Sequence, residues 1–345
     1  MNRTEGFGEK AYLILIPVTA AVFFLCVCLG SVNVSLGDTL SALKNLFAGT
    51  AVQAGDTAAS IITTVRLPRV LCAALMGAAL SVSGAAMQGL LKNPLADGST
   101  MGVASGASLG AVLSIALGFT IPILPIGGTM ATAVVFSFLA LVFIMTFTYK
   151  FDASLATNTI ILIGVIFSMF VSSISNLIIT FAGEKVKTIT FWTLGSLQSG
   201  SYRNALILLI ALAAFGGILI CYARELNAFA IGEDNARNIG VNIKKTKLIV
   251  LICVSALTGI CVSIGGTIGF VGLVTPHIIR RLTGPNHKRL LPACIFGGAI
   301  FLMLSDFIAR TLLRPRELPI GVVTSLAGTV VFLTIFYRTR KGACR

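Results

Sequence analysis

The chain has 345 residues, 56% of them hydrophobic and only 11% charged, with a formal net charge of +14. Soluble domains carry roughly 25% charged residues, so composition argues against a water-soluble globule. The basic residues flank apolar runs and form no single patch, which argues against nucleic-acid binding.

Near the N-terminus, Arg3 and Lys10 precede an apolar run over 11–30. At ~1.5 Å per residue such a run crosses the ~30 Å hydrocarbon core. A signal peptide has a shorter apolar region and a small-residue cleavage site, and Ser31-Val32-Asn33-Val34 is a poor one. The run therefore reads as a retained first span.

Further apolar runs predict ten helical segments in all, over 11–30, 66–90, 98–118, 126–149, 155–182, 200–222, 246–265, 268–283, 290–311 and 318–338. The eighth is short and glycine-rich and need not cross fully. Lipid offers the backbone no hydrogen bonds, so helices are the form such runs take. The expected fold is an all-α polytopic membrane protein, a single permease domain over 1–345. With ten spans and both termini in the cytoplasm, most Lys and Arg fall on the inner side, including the C-terminal Arg340, Lys341 and Arg345. Arg66, Arg69, Arg310, Arg314 and Arg316 go against that trend, in two outer clusters.

Small residues recur every four positions at Ala73, Gly77, Ser81, Ala85 and Gly89, and again at Gly102, Gly106 and Gly110. That spacing suits close helix packing, or a glycine-lined pore. Asn93-Pro94-Leu95-Ala96-Asp97 and Arg316-Glu317-Leu318-Pro319 are both proline turns leading into glycine-rich helices, as an inverted repeat of the two halves would give. Of the acidic residues only Asp306 is predicted inside a span. It is either a local partner for Arg310, one turn on, or a functional intramembrane charge.

Several chemistries have no visible residues. The sequence contains no G-x-x-x-x-G-K-S/T and no HExxH. The cysteines form no CxxC pair and read as small hydrophobes; Cys344 alone lies clear of the apolar segments. Two histidines, His277 and His287, are few for a metal centre. The segment 224–247 is the longest charged inner stretch. Within it Gly232-Glu233-Asp234-Asn235-Ala236-Arg237-Asn238-Ile239-Gly240 reads as a short helix, acidic at its start and basic near its end, with Gly240 at the C′ position, or as a solvated loop.

Arg66-Leu67-Pro68-Arg69, GAALSVSGAAMQ, NPLAD and GVASGASLGA in the first half resemble the signature of the FecCD-type permeases, the iron(III)-siderophore, heme and vitamin B12 family of ATP-binding-cassette importers. ARNIGV, GTIGFVGLVTPHIIRRLTGPNHKRLLP, SDFIARTL and ELPIGVVTSLAGTVVF extend the resemblance over nearly the whole chain after the first span. Thr329-Val330 and Thr275 depart mildly from the family pattern.

The resemblance implies ten helices and a second permease subunit, either a second copy or a paralogue. It implies two separate ATPase subunits holding ATP and Mg, a substrate-binding protein docking from outside, and no cofactor on this chain. It implies docking through Arg66, Arg69 and Arg310, for which interface snorkelling is the plainer reading. It implies a cytoplasmic gate at Asn93, Pro94, Leu95, Thr157 and Asn158. ATPase coupling would fall on Gly232, Glu233, Asp234, Asn235, Ala236, Arg237, Ile239 and Gly240. The expected function is import of a ferric siderophore, or of heme or vitamin B12, across the bacterial inner membrane. The alternatives are a stand-alone ion-coupled carrier and an intramembrane enzyme. The first has thin support in one intramembrane acid, and the second has no catalytic constellation.

Overall fold

The computed structural model describes residues 8–48, 56–98, 101–119 and 127–343. Arg3, Cys344 and Arg345, and residues 99, 100 and 126 of the predicted spans, lie outside these. Among the described residues every regular element is a helix.

The chain opens with α1, Tyr12–Cys28, and α2, Leu36–Phe47. Ser35 caps α2 by accepting from the Asp38 N–H. The long α3 runs over Thr57–Leu91, with a π-helical stretch at Ile61–Arg66. Then follow α4 (Val103–Leu117), α5 (Gly127–Phe151), α6 (Thr157–Phe181) and the short α7 (Val186–Thr193). The second part comprises α8 (Tyr202–Cys221), α9 (Ala223–Ile231), α10 (Glu233–Asn238) and α11 (Ile243–Gly265). It closes with α12 (Val271–Thr283), α13 (His287–Thr311) and α14 (Ile320–Ala343).

Each of the ten predicted apolar segments holds a helix. Seven helices among the described residues are long and apolar enough to cross a membrane. The segment predicted over 98–118 is shorter than expected, because α4 starts only at Val103. The eighth is the 13-residue α12. Helix α2 was not predicted, since its Asp38 and Lys44 break the apolar pattern.

Helices α3 and α11 form the centre, each 78% buried over its apolar window, whereas that of α6 is 17% buried. Helix α3 packs along α13, α12 and α11. The small-residue stripe makes this contact: a Cβ on Gly77 would collide with the Gly298 carbonyl, and one on Gly84 with that of Gly272. Gly106 and Gly110 lie equally close to the α5 backbone at Phe136 and Thr132. The stripes therefore serve packing.

Helices α4 and α12 are half-helices. Each starts inside the bundle after an irregular stretch, and they run toward opposite ends. The Asp97 side chain lies against Gly272, and Gly98 against Thr258 on α11. Phe270, which precedes α12, holds a left-handed φ of 68°, and its side chain packs on Gly328 of α14. Irregular backbone at such depth is tolerated where protein covers it or a cavity adjoins it.

Candidate translocation and coupling sites

Three places in the bundle carry polar chemistry: a cavity in its middle and one cluster at each end.

The cavity, of about 480 Å³, lies where the two irregular stretches meet, and Asp97, Gly98, Thr267, Ile268 and Gly269 help line it. Ser83 and Thr258 also line it, and their buried hydroxyls have no partner. Asp97 is 5% exposed. Asp306 is the acid predicted inside a span; Asp97, outside the predicted spans, is a second buried acid, because the turn after α3 folds back into the bundle.

At one end Arg66, Arg69 and Arg310 come together, as their shared face predicts, but all three are buried. Arg69 Nη2 lies 2.9 Å from Asp306 Oδ1, and its Nη1 2.9 Å from Glu317 Oε2. Arg310 Nε lies 2.9 Å from Asp306 Oδ2, which is the local pair expected from the i,i+4 spacing. Arg66 has no carboxylate and donates instead to the carbonyls of Cys28, at 2.9 Å, and of Val32. A Cβ on Gly30 would stand 2.7 Å from Arg66 Nε, so any larger residue there would make that guanidinium shift. Arg314 and Arg316 are exposed beside this cluster. Burial alone would raise the Glu317 carboxyl, but the Gln198 hydrogen bond and the Arg69 guanidinium outweigh it and hold it below the usual carboxylate value.

The opposite end carries the predicted gate and coupling residues. Helix α3 stops at Lys92, whose φ of 48° is left-handed. Asn93 Oδ1 then accepts from the Leu95 N–H at 2.9 Å, which fixes the turn through Pro94. Leu95 and Asn158 are exposed. Thr157, the first residue of α6, donates to Glu233 Oε1 at 3.2 Å. Leu155 and Thr157 thus meet the coupling segment directly, whereas among the described residues Asn93 bonds within its own turn.

The predicted short helix exists as α10. Glu233 and Asp234 stand in its first turn and Arg237 in its last. Gly240, φ 88°, takes the C′ position. Its N–H bonds to the Arg237 carbonyl and the Val241 N–H to that of Ala236, which completes a Schellman cap. Asp234, Asn235, Arg237 and Ile239 are exposed and Gly232 partly so, while Ala236 is buried against its own chain. The outward surface therefore consists of polar side chains flanked by Ile231 and Ile239, 70% and 68% exposed. Sequence reasoning missed Lys247. Its side chain is fully buried, and its ammonium donates to Glu233 Oε2 at 2.8 Å and to the Leu155 carbonyl at 2.7 Å.

Seven membrane-length helices among the described residues, with a mostly apolar cavity that a few polar groups adjoin, fit a multi-pass membrane protein. The chain belongs to the FecCD transport family, whose model matches residues 18–338. It is 40% identical over 349 residues to the uncharacterized ABC transporter permease protein YvrB of Bacillus subtilis, covering 99% of this chain and 97% of that one. It is 35% identical over 324 residues to the hemin transport system permease protein HmuU of Yersinia pestis, covering 93% and 94%. An inward-facing solved structure assigned to the metal-chelate type of ABC transporter superimposes with a TM-score of 0.83 at 29% identity, covering 95% of this chain and 99% of that one. The chain is accordingly a permease subunit of an ABC importer.

Proposed function

We propose that this permease imports a metal chelate, a ferric siderophore first and heme second, with vitamin B12 as the further candidate. The similarity to a hemin permease and to a metal-chelate transporter supports that class. ATP and Mg would be held by two separate ATPase subunits, and a second permease subunit, a copy or a paralogue, would complete the path.

The observation that carries this reading is the opposition of the two clusters along the bundle. Helix α3 runs from the buried arginines to the Lys92 turn, and α13 runs back from His287 to Arg310. An ATPase would seat on α10, through Ile231, Ile239 and the polar side chains between them. A binding protein would dock on the arginine end. The buried Arg66, Arg69 and Arg310, with exposed Arg314 and Arg316, outnumber Asp306 and Glu317 there, so that end attracts acidic side chains. Asn93, Pro94, Leu95, Thr157 and Asn158 would close the inner exit. Tyr12 at the start of α1 donates to the Arg289 carbonyl at 2.7 Å, which puts that start at the α10 end and supports a cytoplasmic N-terminus.

Ligand identification on the cognate binding protein tests the substrate. A bound iron chelate that competes for uptake through this permease is the expected result. A ligand without a metal would overturn the substrate class.

A further inference from the structure

We propose that Glu233 and Lys247 form a rigid strut that makes α10 and the start of α6 move as one piece. The proposal rests on the reading of α10 as the ATPase seat and deepens it.

The argument begins with burial. Lys247 is 0% exposed, yet it carries a charge. Lysine is almost never fully buried unless paired, because removing the ammonium from water is costly. Two acceptors offset that cost, and they lie on different elements. Glu233 Oε2 opens α10, and the Leu155 carbonyl ends the loop before α6. The other oxygen of Glu233 accepts from Thr157 on α6 itself. One carboxylate and one ammonium therefore join α10, α11 and α6.

Both attached pieces are themselves stiff. The loop before α6 is fixed by Asp152, which accepts from the Ser154 and Ala156 N–H groups at 2.9 and 3.0 Å. Leu155 holds a left-handed φ of 55°, so its carbonyl points where few residues would aim it. The Schellman cap closes α10. A push on the exposed face of α10 thus reaches Leu155 through two short charge-assisted bonds of Lys247, and Thr157 through a longer one of 3.2 Å. Within this chain α6 is the least buried of the membrane-length helices, so few contacts of its own chain oppose its movement with α10.

The test uses the permease assembled with its ATPase subunits in lipid nanodiscs. Spin labels at Ala153→Cys and Asn238→Cys, both exposed positions, report the distance between the α6 loop and α10. A Cys221→Ser/Cys344→Ser background removes the thiol exposed among the described residues and the one outside them. The strut predicts the same distance distribution without nucleotide and after ATP–vanadate trapping. In Glu233→Gln/Lys247→Met, which leaves no buried charge unpaired, the distribution is expected to broaden and to differ between the two states. A change of distance in the parent, or none in the double variant, would overturn the proposal.

A second arm measures ferric hydroxamate uptake per ATP hydrolysed in vesicles. The double variant should lose at least about fivefold in uptake per ATP hydrolysed, whatever its ATPase rate, the low end of coupling between linked sites. Full uptake in the double variant would reduce the pair to a stabilising contact. If the parent itself takes up no ferric hydroxamate, the substrate reading fails, and the distance measurement still decides the strut.

Discussion

Arg69 on α3 and Asp306 on α13 are 237 residues apart in sequence and 2.9 Å apart in the fold. The contact ties the two helices at the end where Glu317 and Arg310 complete the cluster. Removing Arg69 leaves Asp306 with Arg310 as its remaining cation and Glu317 with only the Gln198 hydrogen bond, which is destabilising. Arg69→Met should therefore lower the thermal unfolding midpoint of the detergent-solubilised permease. An unchanged midpoint would mean that the cluster contributes nothing net.

The same burial changes how docking must be probed. Charge reversal at Arg66 or Arg69 would break the permease itself. Arg314 and Arg316 are exposed, so Arg314→Glu with Arg316→Glu should leave the fold intact. Electrostatic steering acts on association. We expect association with the binding protein to slow about tenfold at low salt, and its salt dependence to flatten. Surface plasmon resonance on the assembled transporter, at several salt concentrations, checks both.

Glu317 gives the arginine end an acid limit. Its folded pKa lies below the ordinary 4.5. A depressed carboxylate stabilises the fold above the ordinary value, and that contribution is lost as the pH falls from there through the lower folded value. Glu317→Gln should reduce stability at neutral pH and flatten the loss of stability below about pH 4.5. A variant with the same acid profile as the parent would separate Glu317 from that loss.

On α10, neighbouring positions should behave oppositely. Ala236→Asp would bury a lone carboxylate inside this chain, and the protein should fail to accumulate. Ile239→Asp adds a charge at an exposed position, so the permease should insert normally and lose its ATPase subunits on purification. Quantitative blotting of both proteins distinguishes the two.

The long helices were legible because lipid imposes one rule, a run of apolar residues, and the sequence obeys it. The Asp306–Arg310 pair was legible for the same local reason, one helical turn of spacing. Arg69 and Glu317 were not, since nothing local marks a partner so distant in the chain. Lys247 was hidden differently. It stands in a run with Lys244 and Lys245, so it reads as one more inner-face cation, and only its burial against Glu233 sets it apart. The breaks before α4 and α12 had a faint signal in Gly98, Gly102, Gly266 and Gly269, but hydropathy averages across such points.

The glycine contact between α3 and α13 bears on how this molecule can move. Where Gly77 meets Gly298, main chain rests on main chain, with no intervening side chain to change rotamer. Side-chain layers can repack into a second arrangement, but a bare backbone seam offers no such alternative. The α3–α13 pair is in this sense a keel. A displacement that opens a path would leave this seam unchanged and fall to helices less buried within the chain, such as α6.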